Sequence, residues 1–291
     1  MSSEHPIIAI TGSSGAGTTS VRRTFEQIFL REHINAVYIE GDAFHRYDRA
    51  EMSENMKNAA ASGNTHYSHF GDYANLLPEL EAVFKSYGEG GKGRTRHYVH
   101  DPLEAEKHAV EPGNFTAWED FEPGSDLLFY EGLHGTIVTP EVNLAQHVDL
   151  KIGVVPVINL EWIQKLHRDK AARGYSADAI TDTILRRMPD YINFICPQFS
   201  ETDINFQRVP TVDTSNPFIA RWIPTPDESI VVIRFKRPQG FDFPYLLSMI
   251  PHSFMSRANS IVIHGAKLDL AMQLILTPLI LQLMERKRRT I

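Results

Sequence analysis

At 291 residues, with 42% hydrophobic and 22% charged positions, the chain is sized for one or two globular domains with a sizeable core. A formal net charge of −7 argues against nucleic acid or an anionic membrane as the main partner. The single cysteine, Cys196, excludes an internal disulfide and suits a reducing, cytoplasmic setting, and Met1–Pro6 carry no basic stretch leading into an apolar one, so no signal peptide is expected.

The apolar, β-prone run Ile7–Thr11 is followed by Gly12, Ser13, Ser14, Gly15, Ala16, Gly17, Thr18 and Thr19. A helix then begins, with Val21, Phe25, Ile28 and Phe29 on one face. Strand, glycine-rich turn and helix in this order make a phosphate cradle of inward-pointing N–H groups and a helix dipole. Gly12-x4-Gly17 has the spacing of a P-loop, with one departure: Thr18 stands where lysine should reach the phosphates. Thr19 falls where the magnesium-binding hydroxyl belongs. An ordinary strand-to-helix turn would use the same residues, so the pattern needs support from the rest of the chain, including a substitute cation.

Ala36–Glu40 reads as a second strand closed by Gly41 and Asp42, which places Asp42 at the carboxyl end of a sheet, where ligands sit in open α/β folds. His45 and Arg49 follow, as site cations or as a solvated helix start. Residues 50–75 suggest a helix and then an irregular stretch, Leu76–Tyr87 has helical period, and residues 88–93 form a flexible loop. Arg94–Asp101 holds two arginines and two histidines, which suit an anionic pocket or an exposed strand. Asp126–Gly132 is a buried strand delivering Glu131, in the manner of a Walker B acid, and Leu150–Pro156 is another central strand.

Residues 159–188 are largely helical, with Lys165, Arg168, Asp169 and Arg173 on one face. Such a face suits a lid over polyphosphate, although a solvated helix laced with ion pairs has the same pattern. Gly174 is expected to end the first helix of this region and Arg186-Arg187 to close the second. From Val209 the chain turns β-rich (Val209–Val212, Ile230–Phe235, Ser260–Ile263), and a final helix spans Lys267–Arg289. Its apolar part is broken by Asp269, Gln273, Pro278 and Gln282 and is not read as membrane-spanning. The organisation expected is one domain, 1–291, with a lid at about 159–188.

Taken together, Thr11–Thr19, Glu40–Arg46, Phe129–Gly135, Asn159–Asp169 and Asp203–Pro210 resemble the bacterial branch of the phosphoribulokinase family, over essentially the whole chain. The missing P-loop lysine is itself a trait of that branch. The resemblance implies an α/β P-loop nucleoside-triphosphate hydrolase-like kinase fold, with a mixed, mostly parallel central sheet flanked by helices and a helical lid. It implies Mg-ATP-dependent phosphorylation of D-ribulose 5-phosphate at its 1-hydroxyl, in the Calvin cycle. By resemblance Asp42 is the general base, Glu131 the Walker B acid, and Asp169 a second acid that partners magnesium or assists proton transfer. Gly12 through Thr19 would wrap ATP, with Thr19 on magnesium; His45, Arg49 and Arg173 would bind the sugar phosphate. Lys165, joined by Arg168, is expected to replace the absent P-loop cation.

Members of this branch are large homo-oligomers stimulated by NADH, and the same is expected here. Arg31, Arg234 and Arg257 lie away from the motifs and are nominated for the effector. The plant thiol switch is absent with its cysteine pairs. A uridine- or pantothenate-kinase relative is the nearest alternative enzyme. A non-catalytic nucleotide-binding regulator is the alternative from another class, disfavoured by the joint presence of Asp42, Glu131 and Asp169.

Overall fold

The structure is a computed structural model that describes residues 4–13, 18–173 and 176–290, with the side chains of 18–20, 171–173 and 290 outside the description. Along the chain it forms β1 (Ile7–Thr11), α1 (Thr18–Arg31), β2 (Ala36–Glu40), α2 (Arg49–Ala61), α3 (Leu77–Gly90), β3 (Arg94–Thr95), α4 (Pro102–His108), β4 (Glu119–Asp120) and β5 (Leu127–Gly132). Then follow β6 (Leu150–Val155), α5 (Ile158–Arg173), α6 (Ala177–Asp190), β7 (Ile204–Pro210), β8 (Ser229–Phe235), α7 (Phe243–Met249), β9 (Phe254–Arg257), β10 (Ser260–His264) and α8 (Leu268–Thr290).

Strands covered on both faces carry unbroken apolar runs, and β1 and β5 show why. Ile8, Ile10, Leu127 and Phe129 enter one core cluster with Val21, Phe25, Ile28 and Phe29 of α1 and with Met272, Ile275 and Leu276 of α8. The alternate residues, Ile7, Ala9, Leu128 and Tyr130, enter a second cluster with Leu80, Val83, Phe84 and Tyr87 of α3. The result is an eight-stranded sheet in the order β2-β5-β1-β6-β7-β8-β10-β9 between helical layers. The pairings from β2 to β7 are parallel, and those of β8, β10 and β9 are antiparallel. This is the expected mixed, mostly parallel sheet. β3 and β4 form a separate two-stranded pair.

Several segments depart from expectation, among them residues 88–90, which complete α3 up to its left-handed cap at Gly91 instead of belonging to a loop. The strand anticipated at Val209–Val212 runs instead over Ile204–Pro210. Ile204 and Phe206 enter the core while Asn205, a buried polar residue, is satisfied by the Thr202 hydroxyl and by Phe199 O. β9 was not anticipated; it is a short, mostly exposed edge strand with a register shift against β10. The second lid helix does not close at Arg187. It continues through Pro189 to Asp190, then as a π-helical turn (Tyr191–Ile195) and a 3-10 turn (Cys196–Ser200). Asp190 accepts hydrogen bonds there from Ser68 Oγ (2.7 Å) and Tyr73 Oη (2.5 Å). Gly174 lies outside the described residues, beyond the end of α5. Among the described residues one helix, Gly265–Arg289, is long and apolar enough to cross a membrane. Here it lies on α1 with Ala271, Met272, Leu276 and Ile280 fully buried.

Candidate active site

The carboxyl ends of β2, β5 and β1 are drawn together by two glycines. A Cβ on Gly132 would sit 2.7 Å from Gly41 Cα, and one on Gly41 would sit 2.9 Å from Gly132 Cα, so neither position has room for a side chain. Gly12 N–H donates to Gly132 O at 3.2 Å, which brings the start of the glycine-rich turn to the same point. Ser14, Gly15, Ala16 and Gly17 lie outside the described residues, as do the side chains of Thr18 and Thr19.

Asp42 follows β2 in the 3-10 turn Gly41–Phe44. The turn is anchored by buried Phe44, whose ring meets Trp118 edge-on at 5.3 Å. Arg96 braces it from outside, its guanidinium donating to Ala43 O (2.8 Å) and His45 O (2.7 Å). Three histidines crowd the carboxylate. His45 Nε2 is 3.1 Å from Asp42 Oδ1, His100 Nε2 is 3.5 Å from Oδ2, and the His69 ring is 4.8 Å from that of His45. Burial works against the charge on Asp42, but His45, by charge and hydrogen bond, outweighs it and holds the carboxyl well below its usual range. His69 and the buried His134 are pushed by desolvation down to about 3 and stay neutral.

Glu131 on β5 is the register partner of both Ile10 on β1 and Glu40 on β2. Arg22, on the second turn of α1, keeps the two carboxylates side by side. Its Nη1 is 2.5 Å from Glu40 Oε1 and 3.6 Å from Glu131 Oε2.

Of the face expected on α5, Lys165, Arg168 and Asp169 come together. Lys165 Nζ lies 2.5 Å from Asp169 Oδ2, and Arg168 Nε lies 3.0 Å from Asp169 Oδ1. Lys165 and Asp169 are buried. Burial, with the positive charge of Arg187 on α6, pushes Lys165 down to about 8. Burial opposes the charge on Asp169, but Lys165 and then Arg168 keep its carboxyl below the ordinary value.

Asp42, His45, Arg49, Lys165, Arg168 and Asp169 line one cleft of ≈ 560 Å³, together with Arg186 and Arg187. The side chain of Arg173 lies outside the description. Arg31, Arg234 and Arg257 are not brought together within the chain. Arg31 ends α1 and donates to Gln273 (2.9 Å) and Thr277 (3.0 Å) of α8. Arg234 and Arg257 flank Ser260 from opposite sides. β8 turns Val231, Ile233 and Phe235 into the cluster shared with α1 and α8, so Arg234 faces the other side of the sheet.

Sequence reasoning missed Arg22, Asn75, His69, His134 and Glu161 as members of this site. Arg22 and Glu161 carried a hint, since they sit inside the two helices already assigned to the nucleotide, and so did His134, inside the motif Phe129–Gly135.

A mostly parallel sheet whose strand ends gather acids beside the start of a glycine-rich sequence, with a cation-bearing pair of helices lining the same cleft, has the build of a P-loop kinase. The sequence profile of the Phosphoribulokinase / Uridine kinase family matches residues 7–215. The chain is 75% identical over 286 residues to a phosphoribulokinase of Nitrobacter vulgaris, covering 98% of this chain and 99% of that one. It is 72% identical over 289 residues to a phosphoribulokinase of Xanthobacter flavus, covering 99% of each. A solved structure of phosphoribulokinase from Rhodobacter spheroides superposes with a TM-score of 0.91 at 63% identity, over 99% of this chain and 100% of that one. The chain belongs to the phosphoribulokinase/uridine kinase family, as a kinase of its bacterial phosphoribulokinase branch.

Proposed function

We propose that the protein transfers the γ-phosphoryl group of Mg-ATP to the 1-hydroxyl of D-ribulose 5-phosphate, giving ribulose 1,5-bisphosphate and ADP in the Calvin cycle. The observation that carries this reading is the single cleft in which Asp42 faces Lys165, Arg168 and Asp169. Phosphoryl transfer asks the protein to position reactants and neutralise charge. Asp42, ionised throughout the working range, orients the sugar hydroxyl and takes its proton as the bond to phosphorus forms. Arg49 and Arg173 suit the sugar phosphate, because a guanidinium fork engages phosphate oxygens bidentately. His45 adds charge beside them. Lys165 and Arg168 offer the cations that Thr18 does not.

The donors proposed for magnesium are all oxygens, as that ion requires. Among the described residues no group of three His, Cys, Asp or Glu side chains forms a metal cage. Magnesium is ordinarily held by one or two carboxylates plus substrate phosphates, which Glu131, Asp169 and the Thr19 hydroxyl could supply. Bound there, the ion would neutralise phosphate charge; Arg22 holds Glu131 in place for it.

NADH is the proposed activator and a large homo-oligomer the proposed assembly, in a cytoplasmic setting consistent with the lone Cys196. Arg234 and Arg257, paired across Ser260, are the proposed effector cations. Arg31, on the opposite side of the sheet, joins them only across a contact between copies of the chain.

A coupled assay of ATP consumption tests the proposal. Turnover should depend on ribulose 5-phosphate and not on uridine or pantothenate, and NADH should raise it. R257A should keep the basal rate and lose the response. ATP consumption indifferent to ribulose 5-phosphate overturns the assignment.

A further inference from the structure

The turn after β2 and the loop before α3 meet in an isolated antiparallel bridge, with His45 opposite Asn75. Arg46 N donates to Ala74 O (2.9 Å) and Leu76 N to Phe44 O (2.8 Å) around it. Asn75 is buried, and its amide has one orientation. One terminal atom lies 2.9 Å from His69 O and 2.7 Å from Gly71 O. Carbonyl oxygens only accept, so that atom is the NH2 group. The other is therefore the oxygen, and it lies 2.9 Å from His45 Nδ1. An acceptor there requires Nδ1 to carry hydrogen. On the opposite side of the ring, Nε2 faces the Asp42 carboxylate at 3.1 Å, a second acceptor. A histidine between two acceptors satisfies both only with a proton on each nitrogen.

We propose that Asn75 is a positioning residue that holds His45 doubly protonated, so that an imidazolium stands beside Asp42 at the wall of the substrate cleft. The inference rests on the role of Asp42 and the sugar-phosphate cleft given above.

The groups around His45 divide as this requires. Asp42, on its own turn, favours the charge. From the loop before α3 comes the neutral His69 ring; from the segment after β3 come Tyr98, with its ring 6.1 Å away, and His100, which reaches Asp42. Arg187 of α6 opposes the charge, and so does burial, the largest effect; Asp42 and the bond to Asn75 overcome both and raise His45 above its ordinary value. Behind Asn75, His134 Nε2 lies 3.2 Å from the same NH2 group. Burial holds that ring neutral. The arrangement thus places one positive charge among three neighbouring histidines, on the ring that touches Asp42. That charge keeps Asp42 ionised while shielding an incoming phosphate from it.

The test is the protonation state of His45 in the full chain, read from its ring 15N shifts at about pH 8, where an unperturbed histidine is neutral. The His45 signals are assigned by their loss in H45Q. In the wild type both ring nitrogens should read as N–H. In N75L, which removes the acceptor while keeping the branching at Cγ, His45 should read as neutral and KM for ribulose 5-phosphate should rise about tenfold, as for loss of a charge-assisted hydrogen bond. A purely structural role for Asn75 would leave the His45 shifts unmoved. A neutral His45 in the wild type, or an unchanged imidazolium in folded N75L, overturns the proposal. Should N75L not fold, the wild-type spectrum decides, because the amide geometry demands the imidazolium. The spectrum needs no turnover, so a failure of ribulose 5-phosphate as substrate is seen separately in the assay.

Discussion

Ser13 Oγ donates to Glu161 Oε1 at 2.6 Å, which ties the opening of the glycine-rich turn to the first turn of α5 across 148 positions of sequence. The second carboxyl oxygen, Oε2, is buried without a hydrogen-bond partner among the described residues. Burial pushes this group from 4.5 up to about 7, against the pull of Ser13. Its folded value is above its unfolded one, so folding favours the protonated form. Stability is therefore lost as pH rises from the ordinary carboxyl range to about 7, and is flat beyond. E161Q keeps an acceptor for Ser13 and cannot ionise. Its melting temperature should gain on the wild type between about pH 5 and 7, by an amount corresponding to at most roughly 3 kcal/mol. Equal differences at both ends of that range would show that Glu161 does not titrate there.

Lys165 predicts an alkaline limit. Desolvation lowers its amine to about 8, so the cation beside Asp169 is lost as pH rises through that value. The profile of kcat/KM reports groups of the free enzyme. It should fall on the alkaline side with a midpoint near 8, and K165R should carry that limb to higher pH. K165M should lose ~10³-fold or more in kcat, the scale of other cations that stabilise phosphoryl transfer. A loss of only a few-fold would assign the missing P-loop charge to Arg168 instead.

Asp42→Asn keeps the size of the side chain and the contact with His45 but cannot take a proton. The expected loss is ~10²–10⁴-fold in kcat, with a much smaller change in KM for ribulose 5-phosphate. A change confined to KM would make Asp42 a binding group only.

Gly132→Ala tests the junction of strand ends. The new Cβ would meet the Gly41 backbone on two atoms, at 2.7 and 3.0 Å. Backbone cannot swing aside as a side chain can, so β2 and β5 must separate at the point that places Asp42 and Glu131. A cost of about 1–3 kcal/mol is expected from the denaturant midpoint, with a loss of kcat alongside it. An alanine variant with normal rate would show that the spacing of these ends is not critical.

The parts of the molecule legible in sequence are those where one physical demand dominates. β1, β5 and β6 are runs buried in a parallel sheet and β2 is its short apolar edge strand, so their limits agree with the structure to within a residue or so, and the regular apolar face of α1 marks that helix. Asp42 and Glu131 were visible because strand ends are where such a sheet holds ligands, and Lys165, Arg168 and Asp169 because a helix brings them to one face. β7 was misplaced because its buried Asn205 interrupts the apolar pattern and is satisfied by neighbours that no period reveals. β9 is exposed and irregular, so no core pattern marks it. His69, Asn75 and His134 sit in segments without period and meet only through tertiary structure. The same is true of Ser13 with Glu161, and of Arg22 with Glu131.

The run from α6 through Pro189 into the π-helical turn has a mechanical consequence. Proline removes one backbone donor, and a change from four- to five-residue steps loosens the ladder that stiffens a helix. Bending therefore concentrates at one place, where Asp190 is pinned by Ser68 and Tyr73. A small tilt at that fulcrum would carry with it Arg186 and Arg187, which line the cleft one turn away.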